Sequence, residues 1–206
     1  MSDKPGRPAD PAKDRAILAA AHALLFGSGP RAVTMEAVAR RAGVSKVTVY
    51  RRFPNRQALL EAVVQQEAVD IHRALLETPQ TTADLQDQLT RFVESLVAFV
   101  CGPHHLRFMQ ALAELPQKKQ DMMRIYRNGP EETHRVLAEY LDEARRRGLV
   151  ACPQPYESAE MLLGLALGID LVRALYRVAL DRQRHEARHL HAQRVVGAFL
   201  RLHSGG

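Results

Sequence analysis

The chain has 206 residues, of which 46% are hydrophobic, so it can bury a core without disulfide cross-links. Its two cysteines, Cys101 and Cys152, do not make a disulfide framework, and no charged start followed by an apolar run predicts a signal peptide. Asp170 and Arg173 break the best apolar stretch before it reaches the roughly 20 residues of a membrane span, so we expect a cytoplasmic protein with no membrane partner.

The positive charge is concentrated in the first third of the chain. Residues 1–60 contain 11 Lys or Arg and 4 Asp or Glu, whereas the remaining 146 residues contain 18 and 19. Such asymmetry predicts that the first segment binds a polyanion, either nucleic acid or an anionic membrane surface. A basic face that is merely solvated is the alternative.

The basic segment has helical periodicity after an N-terminal tail. Apolar residues at helical spacing begin at Ile17, and the helix stops at the breaker cluster GSGP. Thr34 is a predicted N-cap for MEAVARRA, and Gly43 is its C-terminal stop. A longer amphipathic helix is predicted over residues 55–76, followed by a boundary loop, ETPQTT.

The rest of the chain is also helical in pattern. Apolar spacing predicts a helix over residues 83–100, shorter helices around Pro116, and a helix that opens at Pro130, where a missing N–H is harmless. Two further helices are predicted over residues 159–180 and 184–202. The predicted fold is all-α, with a small basic helical unit and a larger helical domain. The predicted parts are a flexible basic arm (1–10), the basic helical unit (11–60) and the larger helical domain (61–206).

The stretch GVSKVTVYRRF decides what the basic segment does. Its β-branched residues favour a strand, but Ser45 can cap a helix and Val44 can pack on Val49 as a hydrophobic staple. Two helices joined by a tight turn need a small residue, a turn residue that tolerates positive φ and a buried apolar residue. Ala39, Gly43 and Val49 have these properties, so the spacing predicts a helix-turn-helix.

The second helix of this motif has a core face and a free face. Steps of 100° place Val49 and Phe53 on the core side and Val47 and Arg51 on the opposite side, with Tyr50 on a flank. The free face has the short and cationic groups that a major-groove helix requires. Candidate contacts to bases or phosphates are Thr34, Lys46, Val47, Thr48, Tyr50, Arg51, Arg52 and Arg56. In the N-terminal arm, Lys4 or Arg7 could enter the minor groove, or the arm could be a disordered tail.

The sequence TMEAVARRAGVSKVTVYRRFPNRQALLEAVV closely resembles the DNA-binding region of the TetR (AcrR-like) family of transcriptional regulators. The resemblance covers about residues 10–65. It implies a homodimeric repressor that binds a double-stranded operator. In such a repressor residues 11–60 are a three-helix helix-turn-helix DNA-binding domain, and residues 61–206 are a helical domain that binds a small-molecule effector and dimerises. The eight candidate contacts from Thr34 to Arg56 match positions where the family contacts DNA. Val47 departs from the family, which often has Gly or Pro there, so base preference does not transfer.

Two further sites are predicted in the C-terminal domain. Small residues in the helix over 159–180, and an apolar stripe in the last helix, predict a dimer interface at Gly164, Gly168, Val195 and Phe199. Ordinary intramolecular core is the alternative for both helices. Aromatic and Met side chains on the middle helices predict an effector pocket at Phe99, Phe108, Met109, Met123 and Tyr126, although such residues are more often core.

The segment HEARH, residues 185–189, matches the zinc-peptidase pattern H-E-x-x-H. A catalytic zinc helix is buried, whereas this segment is basic and polar, so we predict no metal, no cofactor and no enzymatic activity. A zinc peptidase and a non-specific chromosome-coating protein are the competing hypotheses. The large neutral second domain argues against the latter.

Overall fold

A computed structural model describes residues 10–102, 105, 119–176, 178, 182 and 184–204. Contacts divide the chain into two compact units, Met1–Val63 and Val64–Gly206. The described residues form helices and loops without a strand, which confirms the all-α prediction. No helix among them is long and apolar enough to cross a membrane.

The first unit begins with three helices whose ends have defined caps. They are α1 (Pro11–Ser28), α2 (Met35–Ala42) and α3 (Lys46–Arg52). The Asp10 carboxylate accepts from the Ala12 N–H at 3.0 Å, with Pro11 at a position that needs no N–H. Gly29 ends α1 at φ 85°, within the predicted GSGP stop. A fully buried set, Ile17, Ala21, Leu25, Val38, Val49 and Leu59, makes the core.

The fourth helix, α4 (Arg56–His72), starts in the first unit and continues into the second. Asn55 precedes it, and its side-chain oxygen accepts from the Ala58 N–H at 2.8 Å. The helix was predicted to reach Leu76, and its last part is instead a 3-10 turn, Arg73–Leu75.

The second unit contains the longer helices. They are α5 (Thr82–Val100), α6 (Lys119–Tyr126), α7 (Glu132–Arg146), α8 (Pro155–Leu175) and α9 (His185–Leu202). Thr81 and Asp84 form a capping box at the start of α5. The core is a continuous apolar cluster that includes Phe92, Leu89, Leu137, Leu141, Leu162, Val196 and Phe199.

Two predicted helix boundaries in this unit were wrong. Pro130 does not open a helix, because a π-helical turn, Arg127–Glu131, joins α6 to α7. A proline ring clashes with the carbonyl four residues earlier in an α-helix, and the wider π turn accommodates it. The helix predicted over 159–180 starts at Pro155, ends at Leu175 and is kinked at Gly168, whose φ of 40° is not helical. Glycine adopts this conformation without a Cβ clash.

Candidate nucleic-acid interface

The turn between α2 and α3 has the geometry that the residue spacing predicted. Gly43 has φ 65° and ψ 31°, the left-handed conformation that glycine permits. The N–H of Val44 donates to the carbonyl of Ala39 at 3.0 Å, so the turn satisfies a carbonyl that the end of α2 leaves open. Ala39 and Val49 are buried on either side of the turn. These contacts fix the angle at which α3 leaves α2.

Ser45 caps α3, as predicted, and also engages Thr48. The Thr48 N–H donates to Ser45 Oγ at 3.1 Å, and the two hydroxyl oxygens are 2.8 Å apart. This capping outweighs the β-branched preference of residues 47–49 for a strand. The Thr48 hydroxyl therefore already has a partner within the chain.

One face of α3 is open to solvent while the opposite face is anchored. Val47 is 77% exposed and Val49 is 0% exposed. Tyr50 and Arg51 are also exposed, and Phe53 is half-buried at the helix end. The assignment of core and free faces made from 100° steps is thus confirmed for this helix.

The three cations of α3 have different surroundings. The Lys46 ammonium forms an ion pair with Glu36 and lies 5.7 Å from the centre of the Tyr50 ring. Arg51 is exposed and has no ion pair within the part of the chain that the structure describes. Arg52 was predicted as a DNA contact, but its guanidinium pairs with Asp14 of α1.

The Arg52 side chain is only 8% exposed, whereas that of Asp14 is 40% exposed. A cation in this position joins α3 to α1. It is not presented on the free face with Val47, Tyr50 and Arg51.

The remaining predicted contacts are at helix starts. Thr34 caps α2, accepting from the Ala37 N–H at 3.1 Å. Arg56 is half-buried, and its Nε donates to the carbonyl of Val33 at 2.9 Å. Lys4 and Arg7, in the predicted arm, are outside the described residues.

Comparisons with known proteins identify this unit. A family model described as bacterial regulatory proteins, tetR family, matches residues 17–63. A second, described as the C-terminal domain of AefR-like transcriptional repressors, matches residues 87–204, more than half of the chain. The chain belongs to the TetR family. It is a DNA-binding transcriptional regulator and not an enzyme.

Relatives of this TetR-family protein cover most of its length. The uncharacterized HTH-type transcriptional regulator YvkB of Bacillus subtilis (strain 168) is 28% identical over 160 residues, 78% of this chain and 82% of its own. A crystal structure assigned to the TetR family from Mesorhizobium loti MAFF303099 has 26% identity and a TM-score of 0.71, covering 93% of this chain and 96% of that one. The flavonoid-responsive regulator FrrA has 27% identity and a TM-score of 0.65, covering 94% and 98%.

The predicted dimer residues have two kinds of position in this TetR-family chain. Val195 and Phe199 are buried in the core of the second unit, and Phe199 is 0% exposed, so it has no surface to offer a second copy. Gly164 and Gly168 of α8 are exposed, and a Cβ at either would meet none of the described residues within 4 Å. Sequence reasoning missed the exposed apolar side chains on the same helix: Met161, Leu165, Ile169 and Val172.

The predicted effector residues that the structure describes differ in exposure. Phe99 is half-buried against the core, with its ring 5.4 Å from that of His105. Met123 and Tyr126 are exposed, and Phe108 and Met109 are outside the described residues.

Sequence reasoning did not single out a buried polar group of α8 as a site. Asp170 is a buried carboxylate whose Oδ1 accepts from Arg173 at 3.0 Å and whose Oδ2 pairs with Arg182. Burial, followed by the negative charge of Asp170, raises the pKa of the Cys101 thiol to about 11. The available signal was a carboxylate inside an apolar helix, which normally has a structural or functional partner.

The HEARH segment starts α9. The rings of His185 and His189 are 6.4 Å apart, and His189 Nδ1 lies 2.6 Å from a carboxylate oxygen of Glu94. Within the described ranges no three potential metal ligands are clustered.

Proposed function

We propose that this TetR-family chain is a ligand-responsive repressor that binds a palindromic operator as a homodimer and is released by a small molecule. The observation that carries the proposal is the free face of α3, where Val47, Tyr50 and Arg51 are exposed above a fully buried Val49. A helix with this division can enter the major groove, with Arg51 reaching guanine or phosphate and Val47 reaching a thymine methyl. The match to an AefR-like repressor domain supports repression rather than activation.

The DNA-binding part is tested on the palindrome nearest to the gene, with a random duplex of equal length at matched salt. We expect the double variant Tyr50→Ala, Arg51→Ala to lose operator binding and to retain its helical circular-dichroism spectrum. Arg201→Ala, an exposed arginine on α9, is the control for loss of one positive charge. Undiminished binding by the double variant would contradict the proposal. Equal affinity of the parent for both duplexes would favour a non-specific DNA-coating protein.

The exposed apolar side of α8 supports homodimerisation. Met161 and Leu165 lie one turn apart before the kink at Gly168, Ile169 and Val172 lie one turn apart after it, and all four are exposed. Several exposed large apolar side chains on one helix are typical of an interface. Gly164 lies among them, and nothing in the described part of the chain lies within 4 Å of the place where its Cβ would be. A glycine inside a helix lowers stability by roughly 1 kcal/mol. The close approach of a second copy of the chain would explain why a glycine stands at this position.

The buried carboxylate of α8 supports a place for the effector. Asp170 is buried, and its two oxygens pair with Arg173 and Arg182, so a ligand with hydroxyl donors would compete with these arginines for the carboxylate. Phe99, whose ring lies 5.4 Å from that of His105, remains the predicted apolar contact. The flavonoid response of FrrA, a 27% identical protein, supports an aromatic ligand with phenolic hydroxyl donors.

We test the effector with a panel of flavonoids added to the protein–operator complex. An active flavonoid should release the parent from DNA, and Asp170→Asn should bind operator but respond less. Asp87→Asn, on the surface of α5, is the matched control. If no flavonoid releases the parent, the proposed ligand class is wrong, while the DNA-binding assignment is unaffected.

The effector signal would travel through α4, which belongs to both units. Its last residue, His72, forms a hydrogen bond of 2.9 Å between Nε2 and Thr133 Oγ1. The Thr133 hydroxyl in turn donates to the carbonyl of Gly129 in the π turn. A ligand that shifts these helices would shift α4, and the two recognition helices would leave the half-site spacing of the operator.

A further inference from the structure

The carboxylate of Glu36 faces the cation at the start of the recognition helix. Glu36 lies in the first turn of α2, and its carboxylate pairs with Lys46, 10 residues later in the chain. Both side chains are about half exposed, at 55% and 53%, so the pair is on the surface of the unit. An acidic group beside the helix that meets DNA is unfavourable for binding a polyanion unless it has another effect.

Tyr50 gives the Lys46 ammonium a second contact. The ammonium lies 5.7 Å from the ring centre, within the range of a cation–π interaction. The hydrogen bond between the two side chains lowers the pKa of Glu36 and raises that of Lys46, so each group favours the charged form of the other. Lys46 is thus held between an anion and a ring that both belong to its own unit.

A phosphate contact by Lys46 either breaks its ion pair with Glu36 or brings the Glu36 carboxylate close to the same phosphate. In both cases the repulsion between carboxylate and phosphate removes part of the gain from the new contact. The repulsion weakens binding to random DNA most, because a protein bound through charge alone takes the orientation with the most phosphate contacts. In an operator complex, base contacts by Val47 and Arg51 fix the orientation of α3, so the affinity depends less on a phosphate contact by Lys46.

We propose that Glu36 is a specificity-determining residue, which retains Lys46 against Tyr50 and weakens binding to random DNA more than binding to operator. The proposal rests on the use of the α3 face for DNA binding. It assigns Glu36 no contact with DNA.

Glu36→Gln tests this by neutralising the carboxylate at nearly constant size. Affinity for random and operator duplexes is measured by fluorescence anisotropy between 50 and 300 mM salt. One additional phosphate contact steepens the slope of log affinity against log salt by about 0.9, which is roughly 8-fold in affinity at 0.1 M salt. We expect up to that gain per subunit for random duplex and a smaller gain for operator, so the specificity ratio falls.

Two further variants separate the proposed effect from a general change of charge. Glu77→Gln removes the same charge from an exposed position of the second unit and should leave both affinities within about 2-fold of the parent. Lys46→Gln in the Glu36→Gln background should abolish the gain, because the released lysine makes the new contact. Circular-dichroism melts of each variant confirm that the unit is folded.

Three results would overturn the proposal. They are an equal gain for the two duplexes, no gain for random DNA, and a loss of operator binding that identifies Glu36 as a base contact. If the parent itself does not prefer operator, the proposed function fails, whereas the salt slope on random duplex still measures whether Glu36 retains Lys46.

Discussion

Arg51 and Arg52 are neighbours on the recognition helix, and we predict that their removal has opposite consequences. Arg51 is exposed, and its side chain forms no ion pair within the described ranges, so Arg51→Ala should change stability by less than about 0.5 kcal/mol. A specific base or phosphate contact is worth about 1–3 kcal/mol, and a dimer loses it twice. The operator dissociation constant should therefore rise by roughly 30-fold or more.

Arg52→Ala should lower stability and affect operator binding much less. Exposed ion pairs contribute about 0–1 kcal/mol, and breaking a buried pair costs about 3–5 kcal/mol. The pair with Asp14 lies between these limits, because the Arg52 side chain is 8% exposed and that of Asp14 is 40% exposed. We expect a loss of about 2 kcal/mol, which corresponds to a fall in melting temperature of roughly 4–8 °C for a chain of this size.

Chemical denaturation and fluorescence anisotropy on the operator duplex, both well below the melting temperature, measure the two effects separately. A double-mutant cycle with Asp14→Ala isolates the ion pair from the lost packing of the arginine stem. The reasoning is refuted if Arg52→Ala weakens operator binding as much as Arg51→Ala while the free energy of unfolding is unchanged.

Single substitutions at Ser45, Ile169 and His72 test the cap of α3, the exposed side of α8 and a buried imidazole. Ser45→Ala should lower the free energy of unfolding by about 1 kcal/mol in urea denaturation, because the Thr48 N–H loses its cap; no loss would contradict the capping role. Ile169→Glu should shift the protein from dimer to monomer in analytical ultracentrifugation, with the exposed Leu202→Glu as control; a persistent dimer would exclude this face. Burial lowers the pKa of His72 below its ordinary 6.5, so the unfolded chain binds the proton more tightly than the folded chain. Protonation of His72 therefore lowers the free energy of unfolding below about pH 6.5 and has no such effect above it. His72→Gln should flatten this pH dependence in thermal melts from pH 5 to 8, and an unaltered pH profile would contradict the assignment.

Local rules were sufficient to predict the recognition helix from sequence. The cap by Ser45, the left-handed turn at Gly43 and the buried Val49 each involve residues within a few positions of one another. Their hydrogen bonds follow from the unpaired N–H and carbonyl groups that every helix end must satisfy. The all-α class followed from the same apolar periodicity, repeated along the chain.

These local rules could not predict which distant residues form ion pairs. Arg52 meets Asp14 across 38 positions, and nothing in the spacing of α3 distinguishes Arg52 from Arg51. The kink at Gly168 was missed for a related reason, since a glycine inside an apolar helix indicates close packing or a break equally well. Which of these applies depends on neighbours that only the fold specifies.

The net charge of the first 60 residues overstates what α3 can offer to DNA. Residues 1–60 have 7 more cations than anions, yet Asp14 holds Arg52 and Glu36 holds Lys46. Of the three cations of α3, Arg51 alone has no ion pair within the described part of the chain. One such helix, with Val47 and Tyr50 beside Arg51, makes too few contacts for a specific complex by itself. Two copies at half-sites one turn apart, about 34 Å, would combine their binding energies. The small number of unpaired cations on α3 therefore supports the proposed dimer and palindromic operator.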